Sequence, residues 1–406
     1  MAIGDYICEE ETVSILQELV QTNTTNPVGN EKPLAEKIAK WLESWGIEAK
    51  ISDLGNNRAN VEGRIRGMGH QSALLLTGHT DVVPPADVAW TYEPFSATIA
   101  DGKLYGRGAA DMKAGLAAAL MTMKAVKASG ASLAGDLIFA ATADEESNSI
   151  GAKAFVESGG LAGVGALIIG EPTSNHITVA EKGCLWLEIT VSGKAAHGSM
   201  PDKGINAILG MNDFISQWRQ YAFTYTEHAL LTPPTMNIAT IQGGVKTNVV
   251  PDTCTLTIDI RTLPGMSHDA IIEKAKSLLG DIERKTEGIK TNLIVTNNRA
   301  PVETSVDDSF VKLMQEAIID VKGQVKAPEG ITAYTDASIF AQAQPKSLTG
   351  YTDASVYRPR TGIPLIVCGP GRMEMAHQRD EYVELPMVHE AVQIYTKVVE
   401  KYLIEA

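Results

Sequence analysis

The sequence predicts an α/β fold, with a mostly parallel, doubly wound sheet and a smaller, ferredoxin-like α+β domain inserted into it. In the first 183 residues, short apolar runs alternate with segments of helical periodicity, which is typical of a parallel sheet. From residue 184 the strands alternate apolar and polar residues, which indicates a sheet with one face in water. The run at 362–371 is again a buried apolar strand like those of the first 183 residues. The predicted parts are therefore 1–183, the insert 184–296, and 297–406.

The elements of the larger domain follow from hydrophobic periodicity. Apolar residues recur every three or four positions in the helical segments, and Pro33 and Gly46 suit the start and the end of the second helix. A long stretch rich in Ala, Leu and Met predicts a helix with Asp111 at or near its start. In chain order the predictions are helices at 9–21 and 33–46, strands at 47–54, 59–67 and 73–76, a helix at 111–129, a strand at 137–147, a helical segment to about 157, a strand at 166–174, a helix at 308–322, a strand at 362–371 and a helix at 386–404.

The insert shows a different order of elements. Its strands have one polar and one apolar face, so a single layer of helices is enough to cover them. The order strand, helix, strand, strand, helix, strand is that of a ferredoxin-like unit. The predictions are a strand at 184–193, a helix at 203–220, strands at 235–241 and 253–261, a helix at 268–283 and a strand at 289–296.

Charge and composition argue against several classes of function. The 35 basic residues are outnumbered by 49 acidic ones, giving a net charge of -14, which is the wrong sign for nucleic acid or an anionic membrane. No apolar run approaches the ~20 residues of a membrane span, and the first residues lack a signal peptide's basic start, so we expect a cytoplasmic protein. The cysteines are too widely spaced for a disulfide framework or a cysteine zinc site: Cys8, Cys184, Cys254 and Cys368.

The stretch LLLTGHTDVVPP, residues 74–85, ends a predicted buried strand with a histidine and an aspartate. Side chains alternate along a strand, so His79 and Asp81 lie on the same side, where the acid can orient the imidazole as in metal sites. One such pair is more often an ordinary histidine at a strand end. Here, however, three more apolar runs end in the same way.

Potential metal ligands follow the apolar runs that end at residues 76, 142, 169 and 368. The carboxyl ends of parallel strands meet at one edge of a sheet, so these side chains are expected to converge. Oxygen and nitrogen donors without thiolate suit one or two Zn²⁺ ions, with Mn²⁺ or Co²⁺ also tolerated. Of two adjacent glutamates, one can bind metal while the other takes a proton from water. The candidates are His79, Glu145, Glu146, Glu171 and His377, with Asp111 suited to bridge two ions.

Five motifs in this order resemble one enzyme family over nearly the whole chain. They are GHTDVVP at 78–84, YGRGAADMKAG at 105–115, ATADEES at 141–147, GEPTS at 170–174 and AHQRDEYV at 376–383. The sequence resembles the acetylornithine deacetylase and succinyl-diaminopimelate desuccinylase group of co-catalytic zinc metallopeptidases, which also includes glutamate carboxypeptidase. The resemblance implies these roles: Asp111 bridges two metals, Glu146 and His377 complete one site, His79 and Glu171 the other, Glu145 is the general base, and Asp81 is the partner of His79.

The insert resembles the lid and dimerisation domain of the same family. The motifs are GKAAHGSMPDKG, GGVKTNVVPD and DIRTLPG. By this resemblance the protein is a homodimer in which His197 polarises the scissile carbonyl of the neighbouring subunit's substrate. Asn248 and Arg261 would then bind the oxygens or the carboxylate of the substrate.

The segment TDAS occurs twice, at 335–338 and 352–355, where the family has it once. The second copy has the family-like distance to GIPLIVCGPG, so the role of facing the site is assigned to Asp353. The first copy is interpreted as a local duplication. An ordinary turn followed by a short helix is the alternative for both.

These features predict metal-dependent hydrolysis of the amide bond in an N-acyl amino acid. A dipeptidase or carboxypeptidase of the same family is the alternative, because it differs in the substrate pocket rather than in the chemistry. A non-catalytic α/β protein that binds a small ligand is the alternative from another class. A dinucleotide fold would carry G-x-G-x-x-G after its first strand, whereas this chain has G-H-T-D.

Overall fold

The computed structural model describes residues 3–27, 29–343 and 362–404. The chain forms two compact units. Unit 1 comprises residues up to 179, 303–329 and those from 335 onward, and unit 2 comprises 180–302 and 330–334. The limits predicted for the insert from the sequence are 184 and 296.

Most helices and strands of the described residues lie close to those predicted from periodicity. The strands predicted at 137–147, 166–174 and 362–371 are shorter and end at Thr142, Ile169 and Val367, since loops begin there. The helices are α1 (Glu9–Gln21), α2 (Lys32–Ser44), α3 (Ala114–Ser129), α4 (Ile150–Glu157), α5 (Ala207–Trp218), α6 (His268–Lys285), α7 (Ser309–Lys322), α8 (Ala337–Gln342) and α9 (Leu385–Leu403). The strands are β1 (Glu48–Gly55), β2 (Arg58–Ile65), β3 (Ala73–His79), β4 (Thr98–Ala100), β5 (Lys103–Tyr105), β6 (Leu137–Thr142), β7 (Val164–Ile169), β8 (Thr178–Glu181), β9 (Gly183–Ser192), β10 (Thr235–Gly243), β11 (Thr253–Thr262), β12 (Lys290–Arg299), β13 (Val302–Glu303), β14 (Glu329–Ile331), β15 (Leu365–Val367) and β16 (Tyr382–Glu384).

The large sheet has the strand order β1-β2-β6-β3-β7-β15-β8-β13, and β14 pairs with β8. The α/β class is thus confirmed, and the four central strands β6, β3, β7 and β15 pair in parallel. Strands β1 and β2 pair in the antiparallel sense. They are joined by Asn56 and Asn57, both with positive φ, and so short a turn permits only an antiparallel pair.

The centre of the sheet is buried on both faces. All seven residues of β3 and all six of β6 are buried, as expected for parallel strands covered by helices. Helix α3 begins very close to the end of β7, since a Cβ at Gly115 would lie 2.0 Å from the carbonyl oxygen of Gly170. Glycine at position 115 therefore lets the start of α3 approach the strand end that precedes Glu171.

Unit 2 contains an antiparallel sheet with the order β10-β11-β9-β12. Alternate residues of β9 and β11 are buried, and they pack against apolar residues of α5 and α6. The chain order β9, α5, β10, β11, α6, β12 is that of a ferredoxin-like unit.

Several short elements have no signal in the sequence pattern. Strands β4, β5 and β16 form a separate small sheet, and each has three residues, too few to show a periodicity. Among the described residues, no helix is both long and apolar enough to span a membrane.

Candidate metal centre

The central parallel strands bring the predicted ligands to one edge of the sheet. His79 is the last residue of β3, and its neighbours β6 and β7 end at Thr142 and Ile169. Glu145 and Glu171 follow β6 and β7 within a few residues, and both are buried, as is His79. Strand pairing alone therefore accounts for the meeting of residues distant in sequence.

The first group of potential ligands consists of His79, Asp111 and Glu171. The Nε2 atom of His79 lies 3.2 Å from Asp111 Oδ1 and 3.7 Å from Glu171 Oε1. One ligand atom of each residue lies within 4.8 Å of the others, which is close enough to surround one cation.

The second group consists of Asp111, Glu146 and His377. The Nε2 atom of His377 lies 3.0 Å from Glu146 Oε1 and 3.5 Å from Asp111 Oδ2. Asp111 thus presents one carboxylate oxygen to each group. This is the geometry needed for a carboxylate that bridges two cations.

Asp111 lies in an irregular turn, residues 109–113, just before α3. Its backbone angles, φ -114° and ψ 98°, are not helical, and those of Met112 also depart from a helix. The sequence predicted Asp111 at or near the start of the helix, but regular helix begins only at Ala114. The turn directs the carboxylate of Asp111 towards both histidines.

The hydrogen bonds of His79 define its tautomer. Its Nδ1 lies 2.9 Å from the backbone carbonyl oxygen of Asp81, and a carbonyl can only accept, so Nδ1 carries the proton. In the neutral ring the lone pair of Nε2 is then available to a metal ion. The Asp81 carboxylate lies farther away, 3.5 Å from Nδ1, so the closer contact to the imidazole comes from the backbone.

The Asp81 carboxylate instead connects the ligand loops. Its oxygens accept the backbone N–H groups of Glu145 at 3.0 Å and Glu146 at 3.1 Å. They also accept the side-chain amide of Asn26 at 2.8 Å, and the same amide donates to Asp144. Asp81 therefore fixes both glutamates relative to His79. Asn26 was not predicted as a site residue, because an Asn-Pro pair indicates only a turn.

The centre brings three carboxylates close to two imidazoles, so negative charge predominates there. Burial lowers the pKa of His79, but Glu171, Asp111 and Asp81 outweigh this and hold that pKa well above its usual range. Burial raises the pKa of Glu146, and the charge of Asp111 adds to the shift. Three carboxylates that share one site repel one another, and divalent cations would remove that repulsion.

The donors present fit a pair of divalent metal ions. Two imidazoles and three carboxylates, without a thiolate, match the preferences of Zn²⁺, and Mn²⁺ or Co²⁺ accept the same atoms. The shared carboxylate of Asp111 and the available Nε2 of His79 support this fit.

Glu145 belongs to neither ligand group. It is 8% exposed, and burial raises its pKa well above its usual range, with the charges of Asp336 and Glu171 contributing in the same direction. A carboxylate with a raised pKa beside a metal centre is suited to accept and release a proton.

The first TDAS copy lies beside this glutamate. The hydroxyl of Thr142 donates to Asp336 Oδ2 at 3.0 Å, which holds Asp336 at the end of β6. From the sequence, this copy was expected to be a local duplication, and its TDAS motif was the signal that could have identified Asp336. Asp353, to which it assigned the role of facing the site, lies outside the described residues.

Unit 2 contains the remaining predicted site residues. His197 and Asn248 are exposed and lie on adjacent loops, because the N–H of Gly198 donates to the Asn248 carbonyl at 2.8 Å. The N–H of Ser199 donates to His197 Nδ1, which leaves the proton of the neutral imidazole on Nε2. An Nε2–H group can donate to an oxyanion.

The guanidinium of Arg261 is held by its own neighbours within unit 2. Its Nε and Nη2 donate to the two carboxylate oxygens of Asp259 at 2.9 and 3.1 Å. It also lies 5.5 Å from the centre of the Tyr334 ring. These contacts fix the orientation of the guanidinium on β11.

Comparisons with known proteins identify the family. Residues 75–401 match the model of peptidase family M20/M25/M40. The chain is 30% identical to a probable succinyl-diaminopimelate desuccinylase of Staphylococcus aureus, covering 98% of both sequences, and 30% identical to an acetylornithine deacetylase of Aliivibrio fischeri, covering 95% of this chain and 97% of the other.

Solved structures show the same fold. An M20 family metallo-carboxypeptidase from Sulfolobus solfataricus matches with a TM-score of 0.77 at 18% identity, covering 97% of this chain and 99% of the other. The aminopeptidase PepT of Bacillus cereus matches with a TM-score of 0.76 at 21% identity, covering 98% and 99%. The resemblance noted in the sequence is thereby confirmed. The chain belongs to peptidase family M20/M25/M40 and is a metallopeptidase-type hydrolase.

Proposed function

We propose that this hydrolase cleaves the amide bond of an N-acyl amino acid, in the manner of a deacetylase or desuccinylase. The observation that carries the proposal is the position of Glu145, buried beside two ligand groups that share Asp111. A binding protein would have no need for a buried proton acceptor at this point. The names of two relatives, a probable succinyl-diaminopimelate desuccinylase and an acetylornithine deacetylase, also favour an N-acyl substrate.

The residues of the site suit hydrolysis by water. Metal ions held by the two groups would polarise the scissile carbonyl and lower the pKa of water. Glu145 takes a proton from the attacking water as the water oxygen bonds to the carbonyl carbon, and later gives that proton to the departing nitrogen. The C–N bond then breaks to yield a carboxylic acid and an amine, which ionise to carboxylate and ammonium. Asp81 holds the backbone of Glu145 in place for both transfers.

The resident metal is proposed to be Zn²⁺, with one or two ions per subunit and with Co²⁺ or Mn²⁺ able to replace it. The five donors support this choice, because Zn²⁺ binds imidazole and carboxylate together. His79, Asp111 and Glu171 would hold one ion. Asp111, Glu146 and His377 would hold the other.

The protein is further proposed to be a homodimer. In unit 2, apolar side chains are exposed on α5, on the edge strand β10 and in the loop that follows β10, with 62% exposure at Leu209, 56% at Ile241 and 86% at Val245. A second copy of the chain would cover these groups and the open strand edge. By the family resemblance, His197 would then stabilise the oxyanion in the partner's site, while Asn248 and Arg261 bind the substrate's oxygens or carboxylate.

A panel of substrates tests this function. Metal-depleted enzyme should hydrolyse nothing, and restoring zinc should allow cleavage of N-succinyl or N-acetyl amino acids faster than of dipeptides. Faster cleavage of dipeptides would favour the dipeptidase or carboxypeptidase alternative. Absence of metal binding and of hydrolysis would favour a non-catalytic binding protein.

A further inference from the structure

Glu381 is a fully buried carboxylate that accepts four hydrogen bonds from one short segment. Its Oε2 accepts from Arg107 Nη1 at 2.6 Å and from the N–H of Gly108 at 3.0 Å. Its Oε1 accepts from the N–H of Ala110 at 2.9 Å and from the N–H of Asp111 at 3.0 Å. The last donor belongs to the residue that both ligand groups share.

These bonds replace those that a regular helix would supply. The segment is not helical at Asp111, and the N–H groups ahead of a helix have no partner within the helix itself. Glu381 accepts two of them, at Ala110 and Asp111, on the same oxygen atom. The Glu381 carboxylate thus stabilises the irregular turn in its non-helical conformation. The orientation of Asp111 depends on this carboxylate.

Arg107 extends the same contacts to a second ligand. It is 1% exposed, and its Nη2 donates to the backbone carbonyl of His377 at 3.4 Å. The backbone carbonyl of Glu381 also accepts the N–H of Gly106 at 2.9 Å. The segment 106–111 and the loop from His377 to Glu381 are therefore joined at both ends.

We propose that Glu381 is a positioning residue that, together with Arg107, fixes Asp111 and His377 in the geometry needed to bind two metal ions. The proposal rests on the metal centre described above. Glu381 would contact neither metal nor substrate, and it acts only through the backbone of one ligand and the loop of another. Loss of its charge should weaken the Asp111, Glu146, His377 group most, since that group contains both of these ligands.

The substitution Glu381→Gln separates this role from simple packing. Glutamine has almost the same shape, but its amide nitrogen would face N–H donors whichever way it is turned, because every partner of both oxygens is a donor. A group that only fills space would tolerate the change. A group that sets the position of Asp111 would not.

The experiment measures metal content after equilibrium dialysis against buffered Zn²⁺, on folded protein isolated by gel filtration. We expect the wild type to hold two ions and Glu381→Gln to bind at least one of them about 10–100-fold more weakly, as for other supports of metal ligands. The Co²⁺ absorption spectrum should change as well. Folded Glu381→Gln that binds both ions with wild-type affinity would overturn the proposal.

Two further variants complete the test. Glu283→Gln is the matched control, since Glu283 also accepts a backbone N–H, from Thr291, but belongs to unit 2, and it should leave metal affinity unchanged. If Glu381→Gln does not fold, Glu381→Asp decides, because it keeps the charge but draws the turn towards a shorter side chain. Wild-type affinity in that variant would overturn the proposal, and weaker binding would support it. A wild type without bound metal would overturn the proposed metal centre itself, and this inference with it.

Discussion

Asp81→Asn is the substitution that tests most fully how the ligand loops are held together. The side chain is completely buried, and asparagine has nearly the same shape. One of the two oxygens would become an NH₂ group. Oδ1 accepts from the N–H of Glu145, whereas Oδ2 accepts both from Glu146 and from Asn26. The amide should therefore turn its nitrogen towards the position of Oδ1.

In that orientation the backbone N–H of Glu145 faces another donor. An unsatisfied buried donor costs about 1–3 kcal/mol. The two remaining bonds lose an ionised acceptor, which roughly halves their strength and removes a further ~1–2 kcal/mol. The free energy of unfolding of the metal-free protein should fall by roughly 2–5 kcal/mol, and metal affinity or activity by about 10–100-fold.

Chemical denaturation of the metal-free protein and competition with a chelator measure these two quantities. Asp136→Asn is the control, because Asp136 also accepts a backbone N–H, from Gly67, but lies directly before β6, at the opposite end of that strand from Glu145 and Glu146. Asp136→Asn should lose stability without losing metal affinity. Unchanged metal affinity and rate in Asp81→Asn would refute this account of how His79 and the glutamates are positioned.

Three further predictions use different measurements. Burial raises the pKa of Glu31 to about 7 from 4.5, so the protein should lose stability as the pH rises between these values. The loss in the free energy of unfolding should reach up to ~3 kcal/mol, measured by chemical denaturation at several pH values, and Glu31→Gln should abolish it. The same pH dependence in Glu31→Gln as in the wild type would contradict this prediction. Mixing Glu145→Gln and His197→Ala subunits should restore about a quarter of wild-type activity if His197 acts in the partner's site, whereas no recovery after confirmed exchange would exclude this. Asp336→Asn removes a charge that raises the pKa of Glu145, so the acidic limb of the kcat profile should move to lower pH, and an unmoved limb would contradict that influence.

Long periodic segments were predictable from the sequence alone. Helix α9 was expected at 386–404 and is observed at Leu385–Leu403, and the buried strands β3 and β6 begin at the predicted residues. The four central parallel strands also follow from the alternation of apolar runs and helices. Such segments are specified locally, by the periodic burial of their own residues.

Contacts between distant, non-periodic residues were not predictable. Asn26 contacts Asp81 and Asp144 across 55 and 118 positions, and nothing in its immediate surroundings indicates either partner. The irregular turn at Asp111 was missed for a related reason, because Glu381, which accepts its N–H, lies 270 residues away. The predicted ligands converge because their strands are neighbours, but the groups that orient them come from loops.

The proton acceptor Glu145 is distinct from the metal ligands, and Glu145→Gln shows whether this is so when turnover and metal content are measured on the same sample. We expect Glu145→Gln to keep the wild-type metal content and to lower kcat by ~10²–10⁴-fold, which is the usual contribution of general-base catalysis. Glu146→Gln, the adjacent control, should instead lose metal. A Glu145→Gln enzyme with a near-normal rate, or one that loses its metal, would contradict the account.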